Sequence, residues 1–304
     1  MKSDIFFVAD PFLIPGFWYL GSSIQKIGGG LTHIKEIHMN EEPKGAVASP
    51  LTTATEKGHY FGSFDFVGHE LTLEGLLKAG VHFGHLKSRR HPQMDQYIFT
   101  TRKNINILDL AQTESKLTEA CNILSGVVKA GKPVLFVGMK KQTHDTITSI
   151  AKTLEESFVI DRWLGGTLTN WGQIRGRAKY LKEMLEMQAA GEFKKYTKFE
   201  QAKKNEEIER LIKKVGGIQD MTEMPGVIII ADVKEAELVI HEARRMNIPL
   251  IGIVDTNTNP SQIDYPIPAN DDAVSSLRYI FGTLGKAALA AKKARQDAKE
   301  GKAA

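Results

Sequence analysis

Three short runs constrain this chain more than anything else in it: Pro133-Val-Leu-Phe-Val-Gly138, Val227-Ile-Ile-Ile-Ala-Asp232 and Ile248-Pro-Leu-Ile-Gly-Ile-Val-Asp255. Each is continuously apolar rather than alternating, the pattern of a strand buried on both faces of a parallel sheet. Helical patterns separate them. One, from about Thr113 to Lys129, ends at Gly131 and Pro133. A second, from about Thr143 to Glu156, leads into an apolar stretch from Phe158 to Trp163, and a third covers Glu235 to Met246. Successive β-α-β units place helices on both faces of the sheet. The expected fold class is therefore α/β, a doubly wound, mostly parallel, flavodoxin-like sheet. Ile263 to Ile267 reads as an edge strand because it contains Pro266, and Asn270-Asp-Asp272 reads as the cap of a last helix from about Ala273.

The wound pattern breaks after Asp161-Arg-Trp-Leu-Gly-Gly-Thr-Leu-Thr-Asn-Trp-Gly-Gln-Ile-Arg175. Gly165 and Gly166, followed by Thr167, Thr169 and Asn170, suit either of two roles. They can form a nest of amides and hydroxyls around an anion, or a tight loop that caps the next helix. No Walker-type Gly-Lys-Ser/Thr follows, which argues against nucleotide hydrolysis. From Gln173 to Val215 strand signals vanish. Ile174, Ala178, Leu181 and Leu185 form a narrow seam, Gly191 interrupts it, and Ile208, Leu211, Ile212 and Val215 resume it. Two long helices folded back as a hairpin satisfy this pattern, and so narrow a seam implies that the hairpin projects. Twelve Lys or Arg residues against seven Glu make it basic. A solvated helix face and an RNA-binding face both fit that excess.

Ahead of the sheet, Thr72 can cap a short helix carrying Leu73, Leu76 and Leu77. Val81-His-Phe-Gly-His-Leu-Lys-Ser-Arg-Arg-His-Pro92 then gathers three histidines and three cations. Tyr97 to Leu110 reads as two strands around an Arg102-Lys-Asn104 turn. Lys87, Arg89, Arg90, Arg102 and Lys103 are candidate phosphate contacts, since the guanidinium fork and the ammonium both suit phosphate oxygens. A second cationic patch would run along the hairpin through Arg175, Arg177, Lys194, Lys195 and Lys198.

The net charge of +4 is unevenly placed: residues 1–70 hold five Lys, no Arg and eight acids, leaving an excess of seven cations for the rest. That distribution favours a polyanionic partner. The single cysteine, Cys121, excludes an intrachain disulfide framework and suggests a reducing compartment. It lies at helical spacing with Leu117, Leu124 and Val128 and reads as a small buried hydrophobe. Residues 1–66 show no sustained period. They fit neither a membrane span, a secretory signal nor an Arg-rich transit peptide, and are expected to be a disordered extension or translated upstream sequence. The expected organisation is 67–172 with 216–291 as the α/β domain, 173–215 as its inserted hairpin, and 292–304 as a frayed tail.

Six blocks carry a resemblance to a known family: Leu77-Lys-Ala-Gly-Val-His-Phe-Gly-His85, Asn106-Ile-Leu-Asp-Leu110, Val134-Leu-Phe-Val-Gly-Met-Lys-Lys141, Arg162-Trp-Leu-Gly-Gly-Thr-Leu-Thr-Asn170, Pro249-Leu-Ile-Gly-Ile-Val-Asp-Thr-Asn257 and Ile267-Pro-Ala-Asn-Asp-Asp272. In this order, from about 71 to 291, the chain resembles the bacterial-type small-subunit ribosomal protein S-two family. The resemblance implies a non-enzymatic constituent of the small subunit, bound to ribosomal RNA and neighbouring ribosomal proteins, that helps to anchor ribosomal protein S-one. It implies no membrane and no required cofactor. The first 66 residues depart from it.

Two further expectations concern ligands. His82 and His85, with Asp255, Asp271 and Asp272 from later elements, could meet at one sheet edge and hold a divalent metal, zinc or magnesium; packing and RNA contact are their alternative roles. The competing function is an enzyme or sensor that binds a phosphorylated sugar or nucleotide at the Gly165-Gly166 turn. No acid/base constellation is legible for it, because Asp232, Asp255, Asp271 and Asp272 serve equally well as caps and turn formers.

Overall fold

A computed structural model describes residues 64–66 and 70–303, with side chains to 298. Five parallel strands form its centre: β4 (Val134–Val137), β5 (Ser157–Val159), β6 (Val227–Ile230), β7 (Leu250–Val254) and β8 (Tyr265–Pro268). Their order is β5-β4-β6-β7-β8, the flavodoxin-like arrangement, with the topological switch between β4 and β6. Side chains alternate across a strand. Val134 and Phe136 accordingly join one core and Leu135 and Val137 the other, as Ile229 and Ile228 do on β6. The three apolar runs are continuous because both cores need filling.

On one face lie α2 (Leu110–Lys129), α3 (Lys141–Leu154) and α7 (Val274–Ala303), which supply Leu117, Leu124, Ile147, Ile150, Phe281 and Leu284. On the other lie α6 (Glu237–Arg245) and the base of a hairpin made from α4 (Trp171–Ala189) and α5 (Lys198–Val215). A separate antiparallel sheet joins β1 (Phe83–Leu86), β2 (Ile98–Arg102) and β3 (Ile105–Leu108) in the order β1-β3-β2. Its β2–β3 turn is a two-residue hairpin with Lys103 and Asn104 both at positive φ, 47° and 63°. The short helix α1 (Leu73–Lys78) is capped by Thr72, whose hydroxyl accepts from the Gly75 amide at 3.1 Å.

The hairpin is inserted between β5 and β6, and between residues 179 and 207 its buried side chains are Leu181, Met184 and Phe193. Met184 takes the seam position expected of Leu185, which is only partly buried, and Ile212 is exposed rather than in the seam. Helices α2 and α4 also begin earlier than the periodicity suggests. Asp109 caps α2 by accepting from the Ala111 amide, and α4 starts at Trp171.

Three expected boundaries are corrected. The strand from Phe158 to Trp163 stops at Val159, because the chain turns there and buries Trp163 in the opposite core. The extension does not run to 66: Phe64 and Phe66 are buried in the core with α7, and their rings are 5.0 Å apart. The Phe64 amide donates to Thr153 Oγ1 at 3.0 Å, and the guanidinium of Arg278 lies over the Phe64 ring at 5.4 Å. Gly285 makes room for Phe66, since a β-carbon there would lie 2.3 Å from the ring. Residues 1–63, expected to be disordered, lie outside the described residues. The tail expected to fray from 292 is the continuation of α7, where Lys292 pairs with Glu156 at 2.7 Å and donates to the Leu154 carbonyl.

Candidate functional site

The carboxyl edge of the parallel sheet collects charge because every strand there ends in a short polar segment. Lys140 follows β4, Asp232 follows β6, Asp255 follows β7 and Asp271 follows β8. Lys140 lies at the switch point, its Nζ 2.9 Å from Asp232 Oδ2, 3.0 Å from Asp271 Oδ2 and 3.0 Å from Asp272 Oδ1. Burial opposes its charge, yet the surrounding carboxylates, Asp271 foremost, hold the ammonium well above its ordinary value.

β1 brings His85 to the same edge. Its Nδ1 is 2.9 Å from Asp255 Oδ2 and its Nε2 3.3 Å from Asp272 Oδ2, so the ring bridges two carboxylates. The hydrogen bond to Asp255 raises its pKa against the opposing effect of burial. Two further contacts fix the strand: the His85 amide donates to Thr256 Oγ1 at 2.9 Å, and the Asn106 amide nitrogen to the His85 carbonyl at 3.1 Å. Asp271 is the least satisfied member of this network among the described residues. It is buried, burial and the nearby Asp255 and Asp232 push its carboxyl up to about 8, and its Oδ1 has no hydrogen-bond partner.

Of the five candidate metal ligands, His85, Asp255 and Asp271 converge, with ligand atoms within 4.8 Å of one another. Asp272 sits at the rim, its side chain 54% exposed. His82 does not belong. It lies against the Phe83 ring at 4.0 Å between centroids, with Nδ1 buried and without a hydrogen-bond partner among the described residues, and burial lowers its pKa. His82 lies three residues before His85, an odd number, so alternation along the chain directs the two rings to opposite faces. The donor set fits a divalent ion: one imidazole and two carboxylates suit zinc better than magnesium, which prefers oxygen. The Asp271 Oδ1, without a hydrogen-bond partner among the described residues, is the atom such an ion would satisfy.

The Gly165-Gly166 nest is real but already filled by an anion of this chain. Glu242, on the buried face of α6, accepts from the Gly166, Leu168 and Thr169 amides at 2.8, 2.9 and 3.2 Å, from the Trp163 indole at 3.0 Å and from the Thr169 hydroxyl at 3.3 Å. Gly166 serves this turn at φ 89°. Burial alone would raise the Glu242 pKa; the converging amide and indole donors outweigh it and hold the carboxyl below its ordinary value. An external phosphate at this turn would have to displace that carboxylate. Trp163 is 4% exposed, whereas Trp171 is only partly buried.

Sequence reasoning missed Lys140 and Glu242, although both had a signal. Lys140 comes three residues after a buried strand, at the edge where two other strands lead into aspartates. Glu242 interrupts the apolar face formed by Val239, Ile240 and Ala243.

The cations are spread over the surface. Lys87 and Arg89 are exposed on a 3-10 turn, Lys87–Arg89, and Arg102 and Lys103 on the β2–β3 hairpin. Arg90 is exposed but committed, since its Nε and Nη2 meet Asp95 at 2.8 and 3.0 Å. On the hairpin Arg175, Arg177, Lys194, Lys195 and Lys198 are exposed, with Lys195 3.8 Å from Glu192. All ten of these cations face solvent, Arg90 while bonded to Asp95.

Fold and site together define a doubly wound α/β domain whose switch point and amide nest are occupied by its own side chains, and which carries its unpaired charge as cations on turns and an inserted hairpin. Comparison with known proteins gives this class a family. Residues 76–291 match the model of the family described as "Ribosomal protein S2", and the chain belongs to that family. A Roseiflexus castenholzii protein named "Small ribosomal subunit protein uS2" is 45% identical over 226 residues, covering 74% of this chain and 86% of its own. One of the same name from Dehalococcoides mccartyi is 43% identical over 222 residues, 73% of this chain and 91% of its own. "Small ribosomal subunit protein uS2c" of Cyanophora paradoxa is 43% identical over 219 residues, 72% and 94%. Among the described residues, no helix is long and apolar enough to cross a membrane.

Proposed function

We propose that this chain is a non-enzymatic structural constituent of the small ribosomal subunit that holds ribosomal RNA through the exposed cations of its turns and hairpin. Family membership supports the structural role, and cytoplasmic ribosomes are its expected location. The observation that carries the reading is the contrast in charge. The switch point and the nest, where an α/β enzyme would take an anionic ligand, are closed by Lys140 with its aspartates and by Glu242, whereas Lys87, Arg89, Arg102, Lys103, Arg175, Arg177, Lys194 and Lys198 are free to meet phosphates. The test is co-sedimentation with small subunits across a salt series. Binding should weaken steeply as salt rises, because each phosphate contact releases counterions. A free pool whose melting temperature rises with a sugar phosphate or nucleotide would instead favour the phosphate-binding enzyme at Gly165-Gly166.

A second surface suits a protein partner, and we assign it to ribosomal protein S-one. An apolar groove of about 420 Å³ runs between α1 and the antiparallel sheet, lined by Leu73, Leu77, Phe99, Ile107 and Leu110. Phe99 is 76% exposed there. Exposed apolar surface of this kind marks interaction sites. Competition between wild-type and Phe99→Glu protein for S-one on subunits tests this assignment; equal capture would refute it. The reading includes a divalent ion at His85, Asp255 and Asp271, which would neutralise the edge and lock β1 onto the parallel sheet.

A further inference from the structure

The tip of the hairpin is built more rigidly than a solvated loop requires. Phe193 is buried, its ring 6.3 Å from Tyr196 in an edge-on contact. Lys204 Nζ lies over the Tyr196 ring at 4.6 Å and near that of Phe193 at 5.8 Å, a cation–π clasp between α5 and the turn before it. Thr197 and Glu200 form a capping box at the start of α5, and Gln201 donates to the Tyr196 carbonyl at 2.9 Å.

On this platform Phe199 is left bare, 78% exposed, with Tyr196, three residues before it, at 42%. Nothing in the hairpin uses the Phe199 ring. Its surroundings are cationic: residues 191–204 carry five lysines and two glutamates. One glutamate is bound in the capping box and the other lies 3.8 Å from Lys195. Lys194, Lys198 and Lys203 have no ion-pair partner among the described residues, and Lys203 shares the Phe199 face of α5 at four residues' distance.

We infer that the hairpin tip is a base-stacking site, at which Phe199 lies on the face of an unpaired RNA base while Lys198, Lys203 and Lys194 meet the flanking phosphates. An aromatic ring for the base and cations for the backbone is the combination by which proteins hold single-stranded nucleic acid without reading its sequence. One nucleotide supplies both complements, a flat π face and an anionic phosphate. An acidic peptide would satisfy the lysines but leave the ring in water. The inference rests on the reading that the hairpin meets RNA and adds the kind of RNA: a looped-out or single-stranded nucleotide rather than continuous duplex.

The test uses the full chain and small subunits washed free of their own copy of the protein. Phe199→Ala should weaken binding about tenfold with the salt slope unchanged, since stacking releases no counterions. Phe199→Tyr should bind as wild type and Phe199→Leu should resemble Phe199→Ala. Lys194→Gln with Lys198→Gln should flatten the slope. Ultraviolet crosslinking followed by nuclease and protease digestion should leave a nucleotide remnant on the peptide containing Phe199. If Phe199→Ala is neutral while the lysine variant still flattens the slope, stacking is overturned and the RNA reading stands. If both are neutral, the RNA reading of the hairpin falls with it. A Phe199→Leu protein that binds as wild type, without a nucleotide crosslink, would make the tip an apolar protein contact and overturn the proposal.

Discussion

The indole Nε1 of Trp163 donates to Glu242 Oε1 at 3.0 Å, joining the turn that leaves β5 to the buried face of α6. Through that one carboxylate the Arg162 to Asn170 segment acquires its shape. Three of its amides, one hydroxyl and one indole share an acceptor that no part of the segment itself supplies.

Glu242→Ala should therefore cost about 3 kcal/mol in a urea melt, because it orphans several buried donors at once. Trp163→Ala should cost about 3 to 5 kcal/mol, Trp171→Ala less, and the Glu242–Trp163 pair should be non-additive. The same carboxylate gives a pH signature. Its folded pKa lies below the unfolded value, so its stabilisation is complete above the ordinary carboxyl range, about 4.3, and is lost as pH falls through the lower folded value. Glu242→Gln should remove that part of the acid dependence. An unchanged pH profile would show that the donors do not favour the ionised form.

A chain beginning at Val67 should melt lower than the full chain, since it lacks Phe64 and Phe66 and opens a gap against α7. One beginning at Ser63 should melt as the full chain does. Gly285→Ala, which crowds Phe66, should reproduce part of the loss without any truncation. Equal melting of the Val67 and Ser63 chains would mean that the two rings contribute nothing.

Arg89 and Arg90 are adjacent but should behave differently. Arg89→Gln should flatten the log–log salt dependence of subunit binding by roughly 0.9, the value for one phosphate. Arg90→Gln should act mainly by releasing Asp95, with a smaller change in slope, because its guanidinium is already bidentate on that carboxylate. Arg102→Gln with Lys103→Gln should flatten the slope by roughly two such steps. Neutral behaviour of all four positions would remove the sheet-domain patch from the RNA surface.

Chelator-washed protein re-equilibrated with zinc should retain about one equivalent per chain, as expected for a site of one imidazole and two carboxylates. His85→Ala or Asp271→Asn should abolish retention and His82→Ala should not, since His82 lies outside the converging group. Zinc should also raise the melting temperature of the wild-type chain alone. No retained metal, or equal retention by His85→Ala, would leave His85 as a bridge between Asp255 and Asp272.

Much of this molecule was determined by local pattern. The continuous apolar runs at 134, 227 and 250 require strands covered on both faces, the break after Trp163 with its narrow following seam requires a hairpin, and Arg102-Lys-Asn104 requires a tight turn. These features depend on residues within a turn or a strand of one another. The flavodoxin-like expectation needed little more, since successive β-α-β units leave few ways to wind.

What the tertiary structure decided are contacts between distant segments. Nothing near Gly166 indicates that the anion for its amides is Glu242, which arrives only when α6 packs beside the turn. Lys140 meets Asp232, Asp271 and Asp272 because the strand order places β4 beside β6 and turns every strand end to one edge. His85 joins that edge and His82 does not, because one more residue of alternation separates their faces than a shared ligand set allows. Phe64 and Phe66 show the same limit, as two aromatics in an aperiodic segment become core only where Gly285 leaves space on a distant helix. Periodicity reports which face of an element is apolar; which distant side chain meets it is settled by packing.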